Sequence, residues 1–451
     1  MTNPSCLNQR FPVLLSSSIP SHTSFAVTVR CHFLKKAPSR FISVESKSIR
    51  VMRPEHVEVV KYSFVPAMNL EMGTMRGSIF FSAIAVSRLF WWRSFTMRNR
   101  AAAARCSKGV ILEARHHFPY NPWAWILVMR LADPIYGVVE LDEPFIEELL
   151  VSAPLQRMKG IHQAGANYLI DPKQTGTRYT HCVGVMLLLR GAGASLEEQA
   201  AGLLHDVGHG AFSHVLDLVF PQYDHNFDDA HLGELIANSE IPSIYEKYGF
   251  DWKKVVEKKS FGLLERPSPR LCADRIDYTF RDSLYSLDAS TIRRWWEDLR
   301  VHDGEFVFAS PQLAAEFALQ YLHMDDLIWS SPRFATGYRV FADALKEAVA
   351  LGIISRADLH TSDEEVLEKL RLAQNPLIQS KLALLNGNFD AIRSDDFDFR
   401  LNWKVKWVDP LVLMHYGPVP ISILNPAVKE AIDAHNGRMQ HGLMVKMVAR
   451  S

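Results

Sequence analysis

The densest group of residues that could do chemistry lies at His205-Asp-Val-Gly-His-Gly-Ala-Phe-Ser-His214, where three histidines and an aspartate fall within ten positions. The pattern predicts an apolar, buried helix over 195–207, and a buried ionised aspartate is costly unless it is paired or binds a metal. A second His-Asp pair, His302-Asp303, precedes a glycine in a predicted turn and has no similar company. The neighbourhood of the first pair, rather than the dipeptide itself, therefore indicates a site.

Two more predicted helices carry residues that could bind the same cation. His181 lies among apolar residues of the predicted buried helix Tyr179–Arg190, and Asp274 lies on the helix predicted over 270–287. With the first His-Asp pair they make two imidazoles and two carboxylates, a set that suits Zn, Fe, Mn or, less well, Mg. The alternative is that each histidine is a hydrogen-bonded core residue, which is the usual reading of a lone buried histidine.

The helix over 270–287 also has a polar face. Asp274, Asp277, Tyr278, Arg281 and Asp282 follow a spacing of i, i+3, i+4, i+7 and i+8, which places them on one side of a helix. One interpretation is a solvated face with Arg–Asp pairs. The other is a wall that contacts a polar ligand beside a metal, which also accounts for the tyrosine.

The order of these motifs resembles the HD-domain metal-dependent phosphohydrolases. Arg178-Tyr-Thr-His181 comes first, then His205-Asp206, then Asp274-Arg-Ile-Asp-Tyr278. Within that family the chain is most similar to the deoxynucleotide triphosphohydrolase branch, and Leu155–Gly165 looks like the segment just ahead of the first metal histidine. The resemblance covers about residues 131–290. It implies a helical HD core, a divalent metal ion, a nucleotide substrate and assembly into a homo-oligomer.

The resemblance also implies roles for individual residues. The implied metal ligands are His181, His205, Asp206 and Asp274. The implied catalytic residues are Asp206, His209 and one further histidine, for which His231 is favoured over His225. The implied substrate contacts are Gln163, Arg178, His214, Asp217, Tyr278 and Asp282.

Such a set would hydrolyse phosphate esters. A bound cation can lower the pKa of its water from about 15.7 to near 7, which is roughly 12 kcal/mol, whereas a histidine base contributes about 3–5 kcal/mol. The sequence therefore predicts attack of metal-activated water on phosphorus, with a dNTP giving a deoxynucleoside and triphosphate. The alternatives are another HD phosphoesterase, such as a nucleotidase or cyclic-nucleotide phosphodiesterase, and a degenerate HD module that only binds nucleotides.

The predicted fold class is all-α, with a helical HD core at 131–300, minor β additions and a mainly helical C-terminal region at 301–451. Further helices are predicted at 144–151, 229–238, 311–329, 337–351 and 363–372. Short strands are predicted at Glu305–Phe308 and Lys404–Val408.

Composition and charge separate the first 130 residues from the rest. The chain has 451 residues, is 48% apolar and has no net charge, which excludes a mostly disordered chain. Residues 1–130 hold 18 Lys/Arg and 5 Asp/Glu, a net charge of +13, so residues 131–451 carry −13. The acidic body argues against non-specific nucleic-acid binding. The front segment is interpreted as a basic extension, either disordered or targeting.

The cysteines and the apolar runs of the sequence indicate where the protein is located. Five cysteines with no CxxC spacing argue against a disulfide framework and a cysteine zinc site, so a reducing compartment is expected. The predicted location is the cytoplasm, unless the basic extension is a genuine organellar targeting signal. The apolar run Ile79–Trp92 is interrupted by Arg88, so no membrane span is predicted.

Overall fold

The structure is a computed structural model that describes residues 74–75, 78–79, 110–116 and 125–449, apart from 258–259, 387–388 and 403–404. The chain divides into two compact units, Met1–Arg130 and Leu131–Ser451. Most of the basic extension lies outside the described residues. In the first unit, strand β1 (Thr74–Met75) pairs antiparallel with β2 (Ser78–Ile79), and β3 is Val110–His116.

Strand β4 (Trp125–Asp133) ends inside the second unit. The regular elements in the first half of this unit are almost all helices. The elements that follow it are β5 (Gly137–Leu141), α1 (Pro144–Leu150), α2 (Ala153–Arg157), α3 (Arg178–Gly191), α4 (Leu196–Leu204), α5 (Val215–Val219), α6 (Phe227–Ala237), α7 (Ile241–Tyr248), α8 (Lys253–Val256), α9 (Ala273–Ser283) and α10 (Ala289–Asp298). Short 3₁₀ turns lie at Met158–Gly160, Gly165–Leu169 and Pro221–Tyr223.

The second half of this unit mixes helices with small sheets. Its elements are β6 (Leu299–His302), β7 (Glu305–Phe308), α11 (Pro311–Met324), α12 (Pro332–Ala350), α13 (Asp363–Leu372), α14 (Pro376–Leu384), β8 (Phe389–Arg393), β9 (Phe399–Leu401), β10 (Leu411–Met414), β11 (Gly417–Pro420), α15 (Ile421–Leu424), α16 (Pro426–Met439) and β12 (Leu443–Ala449). A π-helical turn, Asp325–Trp329, follows α11, and a 3₁₀ turn at Asp358–His360 precedes α13.

Helix α3 lies at the centre of the HD core, because nearly all of its residues are buried. Thr177 caps its first turn, since the Thr177 hydroxyl accepts the amide N–H of Thr180 at 3.3 Å. Two glycines allow close packing around α3. A Cβ on Gly184 would lie 2.1 Å from the Asp277 carboxylate on α9, and a Cβ on Gly202 of α4 would lie 2.7 Å from Leu189. Helices α3, α4 and α9 therefore pack tightly together, with His181 on α3, Asp274 on α9, and His205 and Asp206 in the turn directly after α4.

Helix α4 begins beside Ser195, as the sequence predicts, but it ends at Leu204 rather than 207. The spacing of Ser195 and Glu198 is that of a capping box, of which only half forms. The Ser195 hydroxyl accepts the Glu198 amide N–H at 3.2 Å. The Glu198 carboxylate does not return this bond and instead accepts the amide N–H groups of Leu263 and Leu264 at 2.7 and 3.0 Å. Glu198 thus ties α4 to the segment that leads into α9.

Two small sheets make the C-terminal half less helical than predicted. One has the order β11-β10-β7-β6, with β10 parallel to β7 and the other pairs antiparallel, and the other has the order β8-β12-β9, all antiparallel. The predicted strand Glu305–Phe308 is confirmed as β7. The predicted strand Lys404–Val408 is wrong for residues 405–408, which have no regular structure, and Lys404 lies outside the described residues. The fold is a helical HD core with small sheets rather than an all-α protein.

The domain boundary predicted at residue 300 stays a prediction. In the structure, residues before and after this position are in direct contact. The Tyr278 hydroxyl on α9 lies 2.6 Å from the Tyr321 hydroxyl on α11. The predicted helix over 311–329 ends at Met324 and continues as the π-turn, and α12 begins at Pro332 rather than 337. Within the described residues, no helix is both long and apolar enough to cross a membrane.

Candidate metal centre and substrate wall

The four predicted metal ligands come together between α3, the end of α4 and the start of α9. The His181 Nε2 atom lies 2.9 Å from the Asp274 carboxylate and 3.7 Å from that of Asp206. The His205 Nε2 atom lies 3.4 Å from Asp206 and 3.5 Å from Asp274. Ligand atoms held about 2.1 Å from one cation would be roughly 3.0–3.4 Å apart. His181, His205 and Asp206 have ligand atoms that all lie within 4.8 Å of one another, and Asp274 adjoins both imidazoles.

The hydrogen bonds orient both imidazoles toward this common point. The His205 Nδ1–H donates to the Gly202 carbonyl at 2.8 Å, which leaves Nε2 buried without a hydrogen-bond partner. The His181 Nδ1–H donates to the Asp277 carboxylate at 2.8 Å, and Nε2 on the other side of the ring faces the Asp274 carboxylate at 2.9 Å, a contact that a bound cation would replace. A carboxylate behind a ligating histidine is the usual outer contact of metal sites. A buried imidazole lone pair that has no donor facing it fits a divalent cation.

The charges around His181 also indicate a site for a cation. Burial disfavours its charged form, but the hydrogen bonds to Asp274 and Asp277 outweigh burial and raise its pKa to about 10. The carboxylates thus attract a positive charge to the position that faces them. A cation bound between these groups would supply that charge in place of a proton.

Asp277 has a structural role that no sequence motif indicated. Its side chain is fully buried and accepts hydrogen bonds from the Tyr136 hydroxyl at 2.7 Å and the Arg281 Nε–H at 2.7 Å, in addition to the one from His181. The polar face of α9 is therefore not a solvated face. The spacing of Asp277 three residues after Asp274 was a usable signal, but the partner on α3 was not visible in the sequence.

His209 lies directly beside this cluster. Its Nε2 atom is 3.5 Å from the Asp206 carboxylate and 3.4 Å from Asp228, an α6 residue that the sequence reading did not assign. Burial and the nearby Arg178 charge lower the pKa of His209. The His214 ring lies 4.9 Å from that of His209, and the His214 side chain is half exposed.

Arg178 is a cationic group directly beside the cluster. It is buried, and its guanidinium donates to the Asp206 carboxylate at 2.6 Å and to the Ser213 hydroxyl at 3.1 Å. Asp217 supports the same loop, since it lies 3.0 Å from His214 Nδ1 and accepts the Phe227 amide N–H at 3.3 Å. These contacts place a fixed arginine and a half-exposed histidine at the edge of the cluster.

The predicted substrate wall is continued by residues from the C-terminal half. Asp282 accepts the indole N–H of Trp329 at 2.6 Å, and the Tyr278 ring packs edge-on against Trp329 at 5.2 Å. Burial raises the pKa of Asp282. Gln163 lies on the other side of α3, in the loop before it, and its side-chain oxygen is buried without a hydrogen-bond partner. Trp329 had no motif to mark it, because it is 47 residues from Asp282 along the chain.

The structure does not bring His225 or His231 into contact with the cluster. His225 lies in a left-handed turn after Asp224, with φ of 60°. The His231 Nδ1–H donates to the Phe227 carbonyl at 2.7 Å, and its ring packs near those of Phe227 and His360. The choice between them as a further catalytic histidine stays open.

Comparison with known proteins identifies the family. A family model described as HD domain matches residues 178–280, the segment from the start of α3 to α9. The chain is 36% identical over 325 residues to the uncharacterized protein YdhJ of Bacillus subtilis, which covers 71% of this chain and 99% of that protein. It is 32% identical over 309 residues to the metal-dependent phosphohydrolase cns2 of Cordyceps militaris, which covers 66% and 89%.

The chain belongs to the HD-domain metal-dependent phosphohydrolases. It is therefore a hydrolase that depends on a divalent metal. It is also 30% identical over 161 residues to the human deoxynucleoside triphosphate triphosphohydrolase SAMHD1, but this match covers only 30% of this chain and 26% of that protein. The crystal structure of a phosphohydrolase from Bacteroides thetaiotaomicron shares the fold, with a TM-score of 0.50 at 18% identity over 66% of this chain and 94% of that one. The family resemblance predicted from the sequence is confirmed.

Proposed function

We propose that this HD-domain hydrolase acts on nucleotides and converts a dNTP to a deoxynucleoside and triphosphate. The observation that carries the metal assignment is the convergence of His181, His205, Asp206 and Asp274, with the unpartnered Nε2 atom of His205 facing the group. The deoxynucleotide class is supported by the resemblance to the human triphosphohydrolase. In this proposal the four side chains hold one divalent cation, which supplies an activated water and offsets charge on the phosphoryl oxygens.

The residues around the proposed metal ligands bind the phosphates and the attacking water. The Arg178 guanidinium binds the phosphate, because a planar group with several N–H donors suits two oxygens at once. His209 lies within 3.5 Å of a ligand carboxylate, so it can hold the attacking water or a phosphoryl oxygen. His214, half exposed at the edge, contacts the outer phosphates.

The wall of α9 receives the nucleoside. Tyr278 and Asp282 contact the sugar, and Gln163 contacts it from the loop before α3. In the reaction, the water oxygen forms a bond to the α-phosphorus and the bond from that phosphorus to the sugar O5′ breaks. The O5′ atom takes a proton, and triphosphate leaves from the Arg178 side.

The test is product analysis with a nucleotide panel. Purified protein with Mn²⁺ is incubated separately with each dNTP, each NTP, nucleoside monophosphates and cyclic nucleotides. The proposal expects inorganic triphosphate and a deoxynucleoside in equal amounts from at least one dNTP. Release of orthophosphate from monophosphates, or opening of cyclic nucleotides, with dNTPs left intact would instead identify a different HD phosphoesterase.

A further inference from the structure

The loop between His209 and α5 contains an uncommon backbone corner. Phe212 and Ser213 are consecutive non-glycine residues with φ of 63° and 51°, a conformation that side chains disfavour. Such a corner persists only when its surroundings hold it. It lies immediately before His214 and three residues after His209, so it sets where both histidines lie.

The corner is held by the segment that leads into α13. The Ala211 amide N–H donates to the Leu359 carbonyl at 2.8 Å. A Cβ on Gly210 would lie 2.6 Å from the same carbonyl oxygen, so the two backbones are in direct contact. This segment lies about 150 residues away along the chain and contains none of the residues assigned to the metal or substrate.

Asp363 of this segment makes the strongest contacts. Its carboxylate is buried, and one oxygen accepts the Phe212 amide N–H at 2.6 Å. The other oxygen accepts the His162 amide N–H at 2.8 Å and lies 2.9 Å from His162 Nδ1. Asp363 is also the first residue of α13, where the helix dipole favours a negative charge. One carboxylate thus fastens two loops of the active site to each other.

The two loops meet again at Ser213. Its hydroxyl donates to the His162 carbonyl at 3.0 Å and accepts from the Arg178 Nε–H at 3.1 Å. Arg178 in turn donates to the Asp206 carboxylate at 2.6 Å. A continuous set of hydrogen bonds therefore leads from Asp363, through the corner and Ser213, to Arg178 and Asp206.

We propose that Asp363 is a positioning residue for the phosphohydrolase reaction. It holds the Phe212–Ser213 corner, and through Ser213 it fixes the Arg178 guanidinium in the orientation that binds phosphate. The inference rests on the proposed role of Arg178, but not on which nucleotide is the substrate. Asp363 itself touches no metal ligand and no assigned substrate contact.

The test compares Asp363→Asn with Glu364→Gln, an adjacent exposed carboxylate on α13, in the full chain. Rates are measured with Mn²⁺ on dGTP and on bis(4-nitrophenyl) phosphate. For Asp363→Asn we expect kcat to fall about 10-fold or more while KM changes less than about 3-fold, and amide hydrogen exchange over 211–216 to rise at least about 10-fold. Glu364→Gln should match the parent protein in all three quantities.

A double-mutant cycle separates positioning from simple destabilisation. Ser213→Ala should lower kcat by a similar factor, and the double variant should be no slower than the slower single variant, because both changes break one set of contacts. Additive losses, or a fall in kcat that only follows the unfolded fraction, would overturn the proposal. If Asp363→Asn does not fold, a parent-like kcat for Ser213→Ala overturns it alone. If the parent protein hydrolyses neither compound, the proposed function fails separately, and unchanged exchange over 211–216 still decides against Asp363.

Discussion

At the scale of single residues, the site depends on groups that orient ligands as much as on the ligands themselves. Two carboxylates illustrate this. Asp206 lies within 3.7 Å of His181 Nε2 and also accepts from Arg178, so it joins the proposed metal ligands to the arginine proposed to bind phosphate. Asp277 holds the ring of His181 from behind. Removing such an outer contact usually weakens metal binding without removing a ligand.

Asp277→Asn should weaken Mn²⁺ binding about 10- to 100-fold, because the carboxylate that orients His181 and increases its basicity is lost. Titration calorimetry measures this directly. Asp303→Asn is the matched control, since Asp303 lies in the exposed turn between β6 and β7. Equal affinities for Asp277→Asn and the parent protein would reject the role of Asp277.

Arg178→Lys should lower kcat/KM about 100-fold and leave metal content unchanged. A lysine keeps the charge, but it cannot reach both Ser213 and Asp206 or clamp two phosphate oxygens with a planar group. Arg190→Lys, on the same helix but paired with Glu143 away from the cluster, should retain the parent rate. A parent-like kcat/KM for Arg178→Lys would show that the arginine does not bind phosphate.

The sequence predicted the ligand set but not its supports, for a physical reason. His205 and Asp206 are adjacent and lie in a motif, whereas Asp228, Asp277 and Trp329 act through tertiary contacts that no local pattern encodes. The same reason leaves His225 and His231 unresolved. Both histidines follow the His205-Asp206 pair at similar distances along the chain. Only a bound substrate would show which of the two histidines contacts it.

At the scale of elements, the site exists because three helices pack unusually closely. Gly184 is where α3 meets α9, and a Cβ there would lie 1.9 Å from the Arg281 guanidinium and 2.1 Å from the Asp277 carboxylate. Asp277 hydrogen-bonds the His181 ring, and Arg281 in turn hydrogen-bonds Asp277. The contact that brings α3 and α9 close together is therefore also the contact that orients the His181 ring.

Gly184→Ala should lower the free energy of unfolding by about 1–3 kcal/mol, as overpacking does, and should also weaken Mn²⁺ binding. Gly437→Ala is the control, because no atom lies within 4 Å of its Cβ position on α16. An alanine there should stabilise the helix by about 0.5–1 kcal/mol. Urea unfolding and metal titration of both variants check this, and unchanged stability with unchanged metal affinity for Gly184→Ala would contradict the close-packing account.

Helices were more predictable than strands because their signals are local. Ser195 caps α4 and the apolar period of α3 extends over four turns, so both helices were found from the sequence. Strand β12 alternates buried Leu443 and Val445 with partly exposed neighbours, but its partners β8 and β9 lie about 40 to 60 residues earlier. The β8-β12-β9 sheet was missed for that reason, whereas β7 of the other sheet was predicted.

At the scale of the whole molecule, the C-terminal half holds the substrate wall in place. Helix α16 contacts the π-turn that carries Trp329, because the buried His435 Nε2 lies 3.1 Å from the buried Asp325 carboxylate. Asp326, which faces His435 from the same turn, also pairs with Arg438 of α16 and Arg393 of β8. These ion pairs join the last helix of the chain to the turn that contacts Asp282.

His435 makes this junction sensitive to pH. Burial opposes its charge, but the nearby carboxylates of Asp325 and Asp326 outweigh burial and raise its pKa to about 9. The folded pKa lies above the unfolded value of about 6.5, so the pair stabilises fully below pH 6.5 and this stability is lost as pH rises through about 9.

His435→Gln should therefore be less stable than the parent protein at pH 6, and the difference should shrink markedly by pH 9.5. Urea unfolding of both proteins at the two pH values measures this. A difference of the same size at both pH values would show that the His435 charge does not hold the junction.

The central claim is that four side chains from three helices bind one divalent cation, and metal analysis tests it most directly. Parent protein, His205→Ala and Asp206→Ala are loaded with Mn²⁺, desalted and analysed for metal, with circular dichroism as the check that the helices remain. The account predicts bound Mn²⁺ in the parent protein and a loss of at least about 100-fold in affinity in both variants, with helical content preserved. Full metal binding by either variant would contradict the account.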